Sequence, residues 1–356
     1  MRRISVPNRS GPAVFDGHND ILFELDRAGG PPVADRFLTG LHTHIDLPKA
    51  RAGGLGGGLF AIFVPSDTGL DQDDGMRQAA YDLPLPDPVP QAQALSTVLR
   101  QAAILFRLEE LGALTLCRSV ADIRAAMASG QIAAVMHIEG AEAIDPDLHA
   151  LDLLYRAGLR SLGPVWSRPT IFGEGVPFRF PSDGDTGGGL TEAGIRLVKR
   201  CNALRILVDV SHLNMAGFWD VAKHSDAPIV ATHSNAHAMT PHARNLTDAQ
   251  LETIAASDGM VGLNFAAAFL RPDGRMVDTG LDDMLRHLDH LLEKLGETRV
   301  GLGSDFDGAT IPSAIGSAAG LPVLRQAMAD HGFGDDLIER ICHGNWLRVL
   351  EKTWGQ

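Results

Sequence analysis

The sequence predicts an α/β fold, a (β/α)8 TIM-like barrel, on three observations. Short apolar, β-rich runs recur eight times along 356 residues, helical stretches separate most of them, and five of the runs end in His or carboxylate residues. Apolar runs without alternation suit parallel strands covered on both faces, and alternation with helices suits a barrel. Active residues of such barrels gather at the C-terminal ends of the strands. A doubly wound open sheet is the structural alternative.

The runs follow in order. Ala13–Phe15 stops at "DGHND" (16–20), which offers Asp16, His18 and Asp20. Alternate residues of a strand share a face, so His18 and Asp20 can converge on one object such as a metal ion. Leu59–Val64 is the second run. The helical stretch "PVPQAQALSTVLRQAAILFRLEELG" and a shorter one at Ala121–Ala126 fill the gap before the third, Ile132–Ile138, which ends "MHIEG" with His137 and Glu139. After the fourth, Leu159–Val165, residues 171–190 are rich in Gly and Pro and read as a long loop, a lid over the active face. Thr191 reads as the N-cap of the helix "EAGIRLVKRCNAL". Ile206–Val210 leads into "DVSH" (Asp209, His212), and Pro228–Thr232 into "THSN" (His233). Met260–Phe265 precedes the helix "LDDMLRHLDHLLEKLG". The last run, Arg299–Gly303, ends "GSDFDG" with Asp305 and Asp307.

The length fits a single barrel domain over residues 1–356. A net charge of −13 argues against nucleic acid or an anionic membrane as partner. Cys117, Cys201 and Cys342 are widely spaced and odd in number, which fits a reducing compartment better than a disulfide framework or a Cys-rich zinc site. The start "MRRISVPNRSGPAVF" lacks the apolar core of a signal peptide, and no run is long enough to span a bilayer. The expectation is a cytoplasmic protein.

Imidazole and carboxylate donors without thiolate suit Zn²⁺, with Mn²⁺, Co²⁺ or Fe²⁺ as further options. Three histidines and two carboxylates exceed the needs of one tetrahedral ion. Two ions use all five: His18 and Asp20 on one, His212 and His233 on the other, Glu139 as bridge. Such a pair acidifies a shared water and polarises a carbonyl oxygen. Asp305 is the candidate proton carrier. Taken singly, each residue is more ordinarily a cap or hydrogen-bond partner, but chance does not explain five strand ends on one face. Asp209 and Asp307 read as supports. "HTH" (42–44) has metal-ligand spacing but follows no apolar strand, so it reads as a loop. His237 and His242, in "NAHAMTPHARN", read as solvent-facing or supporting. Arg244 could pair bidentately with a substrate carboxylate, or equally form a surface salt bridge.

Together these pieces resemble the membrane dipeptidase (renal dipeptidase) family of zinc peptidases. The matching stretches are "DGHND", "HTHIDLPKARAGGLGGGLFAIFVP", "HIEG", "DVSH", "THSN", "RNLTD", "GLNF", "GSDFDG" and "GNWLRVLE", in order along nearly the whole chain. The resemblance implies a barrel of the metal-dependent hydrolase type, two zinc ions bridged by Glu139, and cleavage of dipeptides by a metal-bridging hydroxide. It implies that Arg244 holds the substrate's C-terminal carboxylate, that Asp305 lies near its amino group and shuttles protons, and that a homodimer is the assembly to expect. The chain departs from the family's animal members at Trp166 in "GPVWSRP", where they carry a substrate-contacting His. Either Arg168 substitutes, or the substrate range differs. The alternative function is hydrolysis of another small amide, a lactam or N-acyl amino acid, on the same metals. A catalytically silent binding barrel is the rival of a different class.

Overall fold

The computed structural model describes residues 11–66 and 72–355. The basic start, residues 1–10, lies outside the described residues. The eight expected runs all become strands: β1 (Val14–Asn19), β2 (Leu55–Phe63), β3 (Ile132–Glu139), β4 (Leu159–Gly163), β5 (Leu207–Val208), β6 (Val230–Ala231), β7 (Met260–Asn264) and β8 (Val300–Gly303). Each pairs in parallel with its neighbours in chain order, and β1 pairs with β8 through Asp16 and Leu302. A backbone bridge between Asp209 and Val230 joins β5 to β6 and completes the ring. Helices on the outside cover it, among them Gln91–Glu110, Glu192–Leu204 and Leu281–Leu295. The open-sheet alternative is thereby set aside.

The main differences from the sequence reading fall in β1, β2, β5 and β6. β1 runs through "DGHN" instead of ending at Phe15. Asp16 is tolerated inside the ring because it accepts the Ser304 backbone N–H at 2.7 Å and the Ser304 hydroxyl at 2.6 Å. β2 begins four residues early, at Leu55, and takes in "GGG". There a Cβ on Gly57 would stand 2.5 Å from the Ala133 carbonyl oxygen, and one on Gly58 2.7 Å from that of Asp16. These glycines let the first three strands approach closely. β5 and β6 are only two residues long, and the apolar residues around them are buried without ladder pairing.

The end of the ring opposite the strand C-termini is plugged from outside. The last helix, Asn345–Trp354, inserts Trp346, fully buried, among Phe15, Val135, Leu207, Val230 and Met260. Its indole N–H donates to the Leu302 carbonyl at 2.9 Å. A Cβ on Gly17 would come within 2.3 Å of the ring, so the "DGH" glycine is space for this plug.

At the other end, the loops after β2, β4, β6 and β7 interlock. Tyr81–Asp82 pairs antiparallel with Arg179–Phe180, the Tyr81 hydroxyl donates to the Gly274 carbonyl at 2.6 Å, and Ala243 N–H donates to the Arg179 carbonyl. Residues 171–190 lie over the strand ends as expected: Val176 N–H donates to the His212 carbonyl at 2.9 Å. Thr191 caps the following helix, accepting from Gly194 N–H. Among the described residues no helix is long and apolar enough to cross a membrane.

Candidate metal centre

β1 carries His18 to the mouth of the ring, and Asp20 follows at the start of the helix Ile21–Arg27. β3 ends on Glu139. His212 and His233 come from the turns after β5 and β6, and Asp305 from the turn after β8. The ring closure brings all six together, and all are buried. His18 Nε2 lies 3.3 Å from Asp20 Oδ2 and 3.7 Å from Glu139 Oε2. Glu139 turns its other oxygen the opposite way: Oε1 is 2.9 Å from His212 Nε2 and 3.4 Å from His233 Nε2. The donor atoms of His18, Asp20 and Asp305 fall within 4.8 Å of one another, as do those of His18, Glu139 and His233.

The second nitrogens are held from behind. His212 Nδ1 meets the Ser167 hydroxyl at 2.9 Å, and His233 Nδ1 meets the Thr232 hydroxyl at 2.8 Å. Thr232 in turn donates to Asp209 at 2.5 Å. Supports of this kind fix ring orientation and aim the free nitrogen at a metal. Asp305 adopts a left-handed backbone, φ 57°, and its Oδ2 accepts from the Asn264 amide at 2.9 Å. Gly308 completes that turn: a Cβ there would stand 2.3 Å from Asp20 Oδ2 and 2.6 Å from Asp305 Oδ1. Ser167, Thr232, Asn264 and Gly308 were given no role by sequence reasoning, although "THSN", "GLNF" and "GSDFDG" contain three of them.

The donor set fits divalent cations. Burial, with the neighbouring Asp20, Asp305 and Asp209 charges, raises the Glu139 carboxyl well above its ordinary range against the pull of His18. Burial likewise raises Asp305. Burial disfavours the charged form of His18, but Glu139 and Asp20 outweigh it and push its pKa up to about 10. His212 and His233 are held well below the ordinary imidazole value by burial, with Arg244 and His18 adding to it. Their Nε2 atoms face each other at 3.1 Å, and neither nitrogen of His18 has a hydrogen-bond partner among the described residues. The neutral imidazoles of His212 and His233, with His18 and the crowded, buried carboxylates beside them, form a donor set suited to divalent cations.

Arg244 is buried, which rules out the surface salt bridge. Its Nη2 donates to the His233 carbonyl at 3.1 Å and lies 3.3 Å from His212 Nε2. Its Nη1 contacts the Ser211 carbonyl. Burial pushes its pKa down to about 10, against the attraction of Asp305 and Glu139. Trp166 lies in the loop after β4, its ring 5.9 Å from that of His212 and 5.0 Å from Phe63.

Arg168 cannot substitute for the missing His. Its guanidinium is fully buried and donates to Glu142 Oε1 at 2.7 and 3.1 Å and to the Val64 carbonyl at 2.9 Å. "HTH" sits in irregular chain as expected, with His44 Nδ1 accepting the Asp307 backbone N–H at 2.9 Å. His137 stays inside the ring, bound to the Ser161 hydroxyl at 2.8 Å.

The profile of the membrane dipeptidase family, peptidase family M19, matches residues 9–354. A metallopeptidase from Rhodobacter sphaeroides, solved with a phosphinate mimic of the dipeptide L-Ala-D-Ala, superposes with a TM-score of 0.95 at 52% identity, covering 97% of this chain and all of that one. The M19 metallopeptidase described as dipeptidase AC superposes at 0.91, also with 52% identity, covering 98% of this chain and all of that one. PvdM of Pseudomonas aeruginosa, a probable dipeptidase, shares the fold at 22% identity and a TM-score of 0.80, over 97% of this chain and 96% of its own. An uncharacterised protein from the pqqA 5' region of Klebsiella pneumoniae is 48% identical over 260 residues, 72% of this chain and 96% of its own. The extent of these matches makes the chain a member of the membrane dipeptidase family, peptidase family M19, and a metallopeptidase.

Proposed function

We propose that the protein is a binuclear zinc dipeptidase. The observation that carries the reading is Glu139, which presents one carboxylate oxygen to His18 and the other to His212 and His233. In this reading His18 and Asp20 hold one ion, His212 and His233 the other, and Glu139 both. When bound, such a pair supplies an activated hydroxide for attack and polarises the scissile carbonyl.

The protein's own groups do the rest. Arg244 binds the free C-terminal carboxylate of the substrate as a charge-assisted pair. Asp305 faces the amino end. Its carboxyl, raised by burial, takes a proton from the attacking water and delivers it to the leaving amine nitrogen. Asn264 holds one Asp305 oxygen and leaves the other for this exchange. Trp166, packed on Phe63, Phe178 and His212, walls the reacting carbonyl from solvent without supplying a charge. A cation at one end and a carboxylate at the other set the length of the substrate at two residues. The bound L-Ala-D-Ala mimic of the Rhodobacter enzyme supports a short substrate. The three free, buried cysteines support a reducing, cytoplasmic setting.

The test compares a dipeptide with its N-acetyl form and with a tetrapeptide. Cleavage of the free dipeptide at least ~10²-fold faster than either, the loss of a charged contact at one end, is expected. Equal rates would contradict the clamp, and preference for the acetylated form would favour an N-acyl amino acid substrate.

A further inference from the structure

Two residues before Arg244, His242 is fully buried in an aromatic cage. Its ring lies 4.6 Å from that of Phe269, 5.8 Å from Tyr81 and 6.4 Å from Phe180. The Arg244 guanidinium carbon lies over the same Phe269 ring, at 5.4 Å. Phe269 stacks on Phe178, whose edge meets His212. His242 therefore belongs to the roof over the metal centre, on the side that carries Arg244.

Its proton can be placed from the hydrogen bonds. The Arg244 backbone N–H donates to His242 Nδ1 at 3.0 Å. A backbone N–H only donates, so Nδ1 carries no proton. Burial, with the nearby Arg244 charge, holds the ring neutral. The single proton is then on Nε2, and that N–H finds no partner among the described residues. Arg244 Nε is also buried without one. A buried, unmet donor is costly, and two on one ring platform call for an acceptor-rich visitor.

We propose that His242 is a second, specificity-determining donor for the substrate's C-terminal carboxylate, its Nε2–H acting beside the Arg244 guanidinium. This rests on the reading of Arg244 as the carboxylate anchor. A neutral donor adds direction to the charge that Arg244 supplies, and it discriminates a carboxylate from an amide, whose nitrogen offers no acceptor.

The test separates donating from holding. His242→Asn keeps an acceptor near Nδ1 for the Arg244 N–H but loses the far donor, whereas His242→Gln carries an amide N–H out toward the Nε2 position. Binding of a phosphinate dipeptide mimic and of its C-terminal amide is measured by calorimetry on zinc-loaded protein, so no turnover is needed. Wild type should prefer the acid. H242N should lose roughly tenfold or more of that preference, through the acid alone, as expected for a lost charge-assisted bond. H242Q should retain most of it. An H242N that keeps the wild-type preference, or variants that weaken acid and amide alike, would overturn the role of His242. A wild type that fails to prefer the acid would instead remove the Arg244 reading, and this inference with it.

Discussion

Glu139 and His212 meet through Glu139 Oε1 and His212 Nε2 at 2.9 Å, while the other oxygen of the same carboxylate lies 3.7 Å from His18 Nε2. A single side chain thus touches both halves of the proposed ligand set, and the two halves come from opposite sides of the ring. Glu139→Gln keeps the shape but removes the charge that, in the proposed reading, two cations would share. The variant should hold fewer than two metal ions per chain and lose ~10³-fold or more in kcat, as when a unit of catalytic machinery is disabled. Elemental analysis and kinetics on one preparation check both.

The Thr232 hydroxyl stands between Asp209 and His233 Nδ1, at 2.5 and 2.8 Å. Thr232→Val preserves the β-branched shape and breaks the relay. Metal affinity should fall about 10–100-fold, the usual effect of losing a ligand's support, with a dipeptide KM close to wild type once metal is saturating. Competition with a chelating dye reads the affinity directly.

Trp346 closes the far end of the barrel and donates to the Leu302 carbonyl. Trp346→Ala would leave a large cavity against Phe15 and Met260. It should cost ~3–5 kcal/mol of unfolding free energy. Denaturant titration measures this, and folded W346A should still bind metal, because the plug and the ligands lie at opposite ends.

His287 is a buried imidazole outside the candidate ligand set, accepting the Ala236 N–H at 3.1 Å and meeting the Leu270 carbonyl at 3.1 Å. Burial pushes its pKa down to about 4. Between its unfolded value near 6.5 and about 4, the unfolded chain binds the extra proton, so stability rises with pH in that window. The contribution is full above pH 6.5 and is lost as the pH falls through 4, up to ~3 kcal/mol. His287→Asn, which keeps an acceptor but does not titrate, should show a correspondingly flatter dependence of unfolding free energy between pH 7 and 4.

The clustering of the candidate residues was legible because a barrel converts a one-dimensional pattern, a donor where an apolar run stops, into a shared location. His18, Asp20, Glu139, His212, His233 and Asp305 all follow that pattern. Their supports do not. Ser167 and Asn264 are ordinary polar residues whose partners are 45 and 41 positions away in the chain. Arg168 shows the same limit from the other side. Proximity to Trp166 in sequence suggested a place in the site, yet its partner is Glu142, which no local pattern indicates. The extent of β1 was underestimated because Asp16 and His18 look unlike strand interior until Ser304 and the metal centre are there to receive them.

Metal content per chain, measured with dipeptide hydrolysis on the same preparation, tests the central claim most directly. About two zinc ions, with cleavage that chelator abolishes and zinc restores, is the expected result. Fewer than two ions at full dipeptidase activity would contradict the bridging role of Glu139, and two ions without dipeptide cleavage would contradict the substrate.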